Sequence, residues 1–423
     1  MSELLIKNAV VISPADGLNG VRDIKVKDGV IAEIGENLAS DGEVINAEGL
    51  CAVPGLVDMH VHLRDPGQTQ KEDIITGCRA AAAGGVTSLL AMPNTSPATD
   101  DPETVRYILD KASSADARVY VAASITKGLK SEEMTDLAAL RDAGAVGLSD
   151  DGRPVVNTGF LSEAMIAAPK LGMTVVAHCE DLFLADGGKM NKGTISRQLG
   201  IKGIPASAED CGTAREIALA AAENVPIHIC HVSTKTSVAL IRDAKKRGVR
   251  VTAETAPHYF SLTENELLKR DADYRMNPPL RTAEDVKAII EGLTDGTLDA
   301  IATDHAPHTP DEKADFEKAP NGSIGMETSL AAGITYLVKP GLLTLDRLIE
   351  KMSVNPARIL GINAGTLSAG APADIVLIDP DEEWTVDVNR LHGKSKNTPF
   401  KGLTLTGRVK RTVLGGKTVY SDM

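Results

Sequence analysis

Val57-Asp58-Met59-His60-Val61-His62-Leu63-Arg64 is an apolar run that ends in two histidines, two residues apart. On a strand, residues i and i+2 share a face. His60 and His62 can therefore aim two imidazoles at one point from a stiff scaffold. Arg64 follows, where it can hold an anion beside them. A lone H-x-H pair is a weak signal, because most such histidines pack or face water without a ligand. The rest of the chain decides what this pair means.

Around this run, apolar strand alternates with amphipathic helix. The strand candidates are 56–60, 87–91, 119–122, 146–148, 174–177, 227–230, 251–254 and 300–302. Helix candidates fill the gaps at 73–83, 102–114, 132–143, 163–171, 208–223, 236–247 and 283–292. Eight such units predict an α/β chain with a (β/α)8 TIM-type barrel over residues 55–365. The alternative is an open doubly wound sheet, but the G-x-G-x-x-G that would follow its first strand is absent. The two ends read as short strands instead: 4–6, 10–12, 24–26, 30–34 and 50–53, then 375–378, 384–388, 403–406, 409–414 and 418–420. Neither end holds enough strand to close a core alone. Residues 1–54 and 366–423 are expected to form one small β-sandwich domain together.

Composition narrows the function classes. Aromatics are 3% of 423 residues, so the core must be built from Ala, Val, Ile and Leu, as in helix packed on parallel strand. Forty-five Lys and Arg against 58 Asp and Glu give a net charge of −13, a poor match for nucleic acid or an anionic membrane. A small anionic substrate stays compatible, since a local field can oppose the net charge. Cys51, Cys78, Cys179, Cys211 and Cys230 form no C-x-x-C and read as small buried hydrophobes in a reducing cytoplasm. Strand alternation would turn the thiols of Cys179 and Cys230 away from the neighbouring His178 and His231. No signal-peptide pattern and no membrane-length apolar run is seen.

Residues of catalytic type collect just after the strand candidates: His60, His62 and Arg64; Asn94; Asp150 and Asp151; His178 and Glu180; His231; Glu254 and His258; Asp304, His305 and His308. In a parallel barrel these ends share one face, where active sites lie. Imidazole and carboxylate suit Zn2+ and similar ions. His60, His62 and Asp304 can hold one ion, and His178 and His231 a second. Asp151 is the candidate bridge between them, with Asp150 its competitor. Two ions at that spacing can share a hydroxide made nucleophilic near neutral pH. His228 reads as structural, Glu254 and His258 as structural or supporting, and His305 as turned away from Asp304.

The same residues carry a signature. The segments DMHVHLRDPG (58–67), MPNT (92–95), SDDG (149–152), AHCED (177–181), CHVST (230–234), AETAPHY (253–259), MNPPLR (276–281) and ATDHAPH (302–308) resemble those of the amidohydrolase superfamily, and within it type I dihydroorotases. The resemblance spans essentially the whole chain. It implies two zinc ions per chain on His60, His62, His178, His231 and Asp304, with Asp151 at the bridging position where many relatives carry a carboxylated lysine. It implies substrate contacts from Arg64, Asn94 and His308 to a carboxylate, and from Asn277. Backbone contacts are implied from Asn321 and Gly322, which stand where relatives typically have Phe-Gly.

The implied reaction is the reversible cyclisation of N-carbamoyl-L-aspartate to L-dihydroorotate in de novo pyrimidine biosynthesis. A metal-bridging hydroxide attacks, and Asp304 acts as general acid and base. Rival readings are another cyclic amidase, of dihydropyrimidinase, hydantoinase or allantoinase type, and a non-catalytic homologue partnering aspartate transcarbamoylase. The second rival is opposed by the presence of all six ligand candidates. Expected partners are a small-molecule substrate, a second copy of the chain in a homodimer, and aspartate transcarbamoylase. The polar segment 309–320 is expected to be a mobile lid or an ordinary solvated loop.

Overall fold

Eight parallel strands form a nearly closed barrel in the computed structural model, which describes residues 3–423. They are Leu56–Val61, Val86–Ala91, Arg118–Ala123, Ala145–Leu148, Thr174–Ala177, Ile227–Ile229, Val251–Thr255 and Ala300–Ile301, paired in chain order. The segments after the last and first strands meet where the His62 amide donates to the His305 carbonyl at 2.8 Å and the Thr303 amide donates to Asp58 Oδ1 at 3.0 Å. Strands covered on both faces lose their alternation and read as continuous apolar runs. Val57, Met59, Leu90, Met92, Ala122, Val176, Cys230, Ala300 and Ala302 fill the interior. Leu56, Val61, Leu89, Val121, Val175 and Ile229 face the helical layer.

The helices start where short polar side chains can satisfy free amides. Asp73 accepts the Thr76 amide at 2.9 Å and opens Ile74–Ala83. Asp101 does the same for Pro102–Ala112, whose proline has no first-turn amide to lose. Two expected helices shift for the same reason. The one expected from residue 132 starts at Leu137, capped by Asp136. The one expected from 163 starts at Thr158, capped by Asn157.

Strands from both ends of the described chain make one mixed sheet of eight strands. Its order is Lys417–Ser421, Thr404–Leu414, Ile375–Thr385, Cys51–Pro54, Glu3–Ser13, Leu18–Lys27, Val30–Gly35, with Glu43–Asn46 lying parallel against Glu3–Ser13. The two ends meet where Cys51–Pro54 pairs antiparallel with Ile375–Ile378. Ile6, Val11, Ile24, Ile375, Leu377 and Val413 belong to a core of its own. Several short candidates fuse into long strands interrupted by bulges, as between Ile6 and Ala9. Glu43–Asn46 escapes a reading by pattern because only Ile45 in it is buried. Between Thr385 and Thr404 the chain leaves this sheet, and residues 391–400 cross the barrel rim as a strap.

Candidate metal centre and substrate pocket

Four histidines and two aspartates converge at the carboxyl ends of the barrel strands. The register of the first strand shifts between Asp58 and Val61, a bulge that re-aims His60 into the interior. The Asp151 carboxylate stands at the centre. Its Oδ1 lies 3.3 Å from His60 Nε2, 3.4 Å from His178 Nδ1 and 3.6 Å from His231 Nε2, and its Oδ2 lies 3.5 Å from His62 Nε2. Asp304 Oδ1 is 3.0 Å from His62 Nε2 and 3.6 Å from His60 Nε2. His178 Nδ1 and His231 Nε2 are 2.8 Å apart. Asp150 is committed elsewhere: it accepts the Ile125 amide at 2.7 Å and the Thr126 amide and hydroxyl.

These spacings fit cations. Donors placed around a tetrahedral zinc at ordinary bond lengths stand roughly 3.3 Å from one another. Among the described residues, His60 Nε2 and Asp151 Oδ1 are buried and aimed into the cluster with no well-aligned hydrogen-bond partner, only the longer imidazole–carboxylate contacts given above. Two overlapping triads, His60–His62–Asp151 and Asp151–His178–His231, share the one carboxylate. The outer ring nitrogens are anchored as metal-binding imidazoles require. His60 Nδ1 faces Glu254 Oε1 at 3.1 Å, His62 Nδ1 faces Asn94 Oδ1 at 2.8 Å, and His178 Nε2 faces Glu180 Oε2 at 3.4 Å. Each acceptor leaves the opposite nitrogen directed at the cluster. Glu254 is itself held by His228 Nε2 at 3.3 Å, and Asn277 donates to Glu180 at 3.2 Å.

Backbone conformation is unusual here. Arg64, His231 and Asp304 have φ of +60°, +37° and +49°. Non-glycine residues in this region cost about 1–3 kcal/mol each and concentrate at functional sites. The turn at His231 also defeats strand parity. Cys230 packs inside the barrel beside His60 and Glu254 instead of turning away, whereas Cys179 does face the outer layer.

Electrostatics follow from burial among carboxylates. Burial pushes the Asp304 carboxyl up, but the His62 hydrogen bond and the charges of His60 and His62 outweigh it and hold it near about 2. Burial lowers His178, yet its hydrogen bonds to Asp151 and Glu180 prevail and raise it to about 10. Burial likewise disfavours a charged His60, and the Asp151 charge overrides it to raise the ring above its ordinary value. In the absence of cations, His178 therefore holds a proton at neutral pH, and His60 is shifted in the same direction. A cation must displace such a proton, so acidification opposes loading and alkaline pH favours it up to about 10. We expect one to two protons released per chain on loading with Zn2+ at pH 7.5. Calorimetry in two buffers of different ionisation enthalpy measures this. Zero release would show that these histidines do not change partner.

Beside the cluster, Arg64 is buried. Its Nε donates to the Pro307 carbonyl at 3.2 Å and its Nη2 lies 3.5 Å from His308 Nε2. Among the described residues it has no carboxylate partner. His308 Nε2 also meets the Asn321 carbonyl at 2.9 Å. The Asn321 side chain points elsewhere, accepting from Arg275 at 3.1 Å, so its backbone is the part near the pocket. Gly322 has φ +139°, and a Cβ there would come within 2.9 Å of His308 Nε2 and the Ala306 carbonyl. Only glycine fits. Asn94 bridges His62 and Asp151, whose Oδ2 it reaches at 3.3 Å. Segment 309–320 is tied down, since Lys313 Nζ donates to the carbonyls of Ala272, Arg275 and Pro320 at 3.0, 3.3 and 3.0 Å. Strand pattern reveals neither Glu180 and Glu254 as anchors of specific rings nor the strap behind His308.

Residues 49–237 match the family model described as dihydro-orotase-like, and residues 198–420 match that of the amidohydrolase family. A dihydroorotase from Acetivibrio thermocellus is 52% identical over 422 residues, 99% of each chain. One from Geobacter metallireducens is 51% identical over 421 residues, again 99% of each. Among solved structures, the L-hydantoinase (dihydropyrimidinase) of Arthrobacter aurescens superposes with a TM-score of 0.89 at 27% identity, covering 100% of this chain and 96% of its own. The dihydropyrimidinase of Brevibacillus agri gives 0.87 at 26% identity, covering 99% and 95%.

Proposed function

This chain belongs to the dihydroorotase family of the amidohydrolases, and on that premise we propose that it interconverts L-dihydroorotate and N-carbamoyl-L-aspartate. It is a cyclic amide hydrolase acting on a small molecule. The observation that carries the substrate assignment is Arg64, a buried guanidinium beside the histidine cluster without a carboxylate partner among the described residues. A buried charge is stable only when paired. An anionic substrate supplies the missing partner, and the ring carboxylate of dihydroorotate is such a group.

We assign His60, His62, Asp151, His178, His231 and Asp304 as ligands of two zinc ions. The count is supported by charge. Asp151, Asp304, Glu180 and Glu254 are four carboxylates clustered around these imidazoles, and two divalent cations balance them. When bound, the ions would supply an acidified water and a Lewis acid for the amide carbonyl. Asp304, a carboxylate at neutral pH, accepts the proton of the attacking water and passes it to the ring nitrogen as the C–N bond breaks. Arg64 and His308 hold the substrate carboxylate, and the backbone at Asn321 and Gly322 faces the ring. Asn94 and Asn277 are assigned to the substrate as well, and they also orient His62 and, through Glu180, His178.

Among the described residues no helix is long and apolar enough to cross a membrane. The five cysteines are free thiols, as suits a reducing compartment such as the cytoplasm. One feature supports a homodimer: the exposed apolar side chains of the short helix Leu182–Ala185, where Phe183 is 82% exposed.

A substrate panel tests the reading. Charge-assisted recognition at Arg64 should favour dihydroorotate over dihydrouracil, hydantoin and allantoin by about 100-fold or more in kcat/KM. Equal turnover of any of the three would replace dihydroorotase with a broader cyclic amidase.

A further inference from the structure

The strap at 391–400 does more than connect two strands of the terminal sheet. The Lys394 amide donates to the buried Glu72 carboxylate at 3.1 Å, its Nζ donates to the Thr69 carbonyl at 2.7 Å, and Ser395 Oγ donates to the Lys71 carbonyl at 2.7 Å. All three partners lie in the loop that follows Arg64. The next contacts converge on Asn397, which is 4% exposed. Its Oδ1 accepts the His308 amide at 3.1 Å, and its Nδ2 donates to the Gly322 carbonyl at 3.1 Å and the Ala306 carbonyl at 3.3 Å. Its own carbonyl accepts the Ile324 amide at 3.0 Å.

One carboxamide thus joins two loops that share no strand. The first carries His308 and follows the last barrel strand. The second carries Asn321 and Gly322, some fifteen residues later in the chain. A carboxamide is suited to this, because it offers an acceptor and two donors on one rigid plane. Removing it leaves an amide and two carbonyls buried without that partner, and each can recover a partner only by moving. The two loops already touch, since His308 Nε2 lies 2.9 Å from the Asn321 carbonyl. A shift of about 1 Å in such a contact costs up to 100-fold in use of the substrate.

We propose that Asn397 is a positioning residue for recognition of the substrate carboxylate, fixing His308 and Gly322 relative to each other and to Arg64. The proposal rests on the substrate reading above. Asn397 touches no reacting atom, so its loss should fall on KM.

The test uses the full-length, metal-loaded protein. Asn397→Ala should raise KM for dihydroorotate about 10- to 100-fold, with kcat within about threefold and metal content unchanged. A parallel fall of kcat and metal content in a variant that still folds would mean a merely structural role and overturn the proposal, as would an unchanged KM. Asn397→Asp retains the acceptor for the His308 amide and loses both donors. It should also raise KM, and it serves if the alanine variant does not fold; an unmoved KM there is equally fatal. Combined with His308→Ala, the loss of Asn397 should add less than about threefold, because both act on one group. Multiplicative effects would show that Asn397 acts independently of His308. A wild-type protein that does not turn over dihydroorotate overturns the substrate reading, and this proposal with it. A competent wild type with an unmoved KM in both variants overturns this proposal alone.

Discussion

Asp304→Asn should keep its cations and lose turnover by about 1,000-fold. The buried side chain lies 3.0 Å from His62 Nε2 and 3.6 Å from His60 Nε2, just past a strand end where φ is +49°. Asparagine has the same shape, tolerates that backbone conformation and retains one oxygen for a cation. It removes the negative charge and the ability to carry a proton. General acid–base catalysis is worth about 100- to 10,000-fold, and Asp304 is assigned both halves of it. Steady-state kinetics beside metal analysis of the same sample decide the matter. Turnover within tenfold of wild type, at equal metal content, would remove Asp304 from the proton path. A loss of metal in step with turnover would make it a ligand only.

Arg64→Met should raise KM for dihydroorotate by about 100- to 1,000-fold and at the same time make the free protein more stable. Two charge-assisted hydrogen bonds to one carboxylate are worth about 3–5 kcal/mol together, and about 1.4 kcal/mol is a factor of ten. The stability gain has the same origin. Among the described residues Arg64 has no carboxylate within ion-pair distance, so its guanidinium is buried at a cost that the more distant charges of Asp304, Asp151 and Glu312 only partly offset. Methionine of similar length fills the space without the charge. Thermal unfolding should show a midpoint higher by a few degrees in the variant, and saturating dihydroorotate should narrow the gap. An unchanged KM would place the carboxylate elsewhere. A less stable variant would mean that the contacts of Arg64 to Pro307 and His308 outweigh its desolvation.

Much of this architecture is legible from residue order because the relevant physics is local. Strands such as Val86–Ala91 are apolar along their whole length, since a barrel strand is covered on both sides. Site residues fall immediately after such runs, because the strand ends share one rim. What fails is reasoning carried past the end of a strand. Cys230 was expected to turn its thiol away, but the chain leaves extended geometry at His231 and parity no longer applies. The choice between Asp150 and Asp151 is not local either. It depends on Ile125 and Thr126, two dozen residues earlier, occupying one carboxylate and leaving the other to the histidines. Asn397 lies 89 positions from His308, and no periodicity marks a side chain whose partners are backbone groups of distant loops.

The mixed sheet at the edge of the barrel imposes an order of assembly. Cys51–Pro54 finds one neighbour in Glu3–Ser13, but its other edge waits for Ile375–Ile378. During synthesis, some 320 residues must emerge between those partners. Until they do, a short apolar strand stands with one side unpaired, the kind of edge that invites pairing with another chain. Contacts so distant along the polypeptide also close slowly. Barrel units can accumulate while translation proceeds, but the two ends can be stitched together only near its completion. Release from the ribosome, and any chaperone that shields that edge beforehand, is therefore where the yield of native protein is decided.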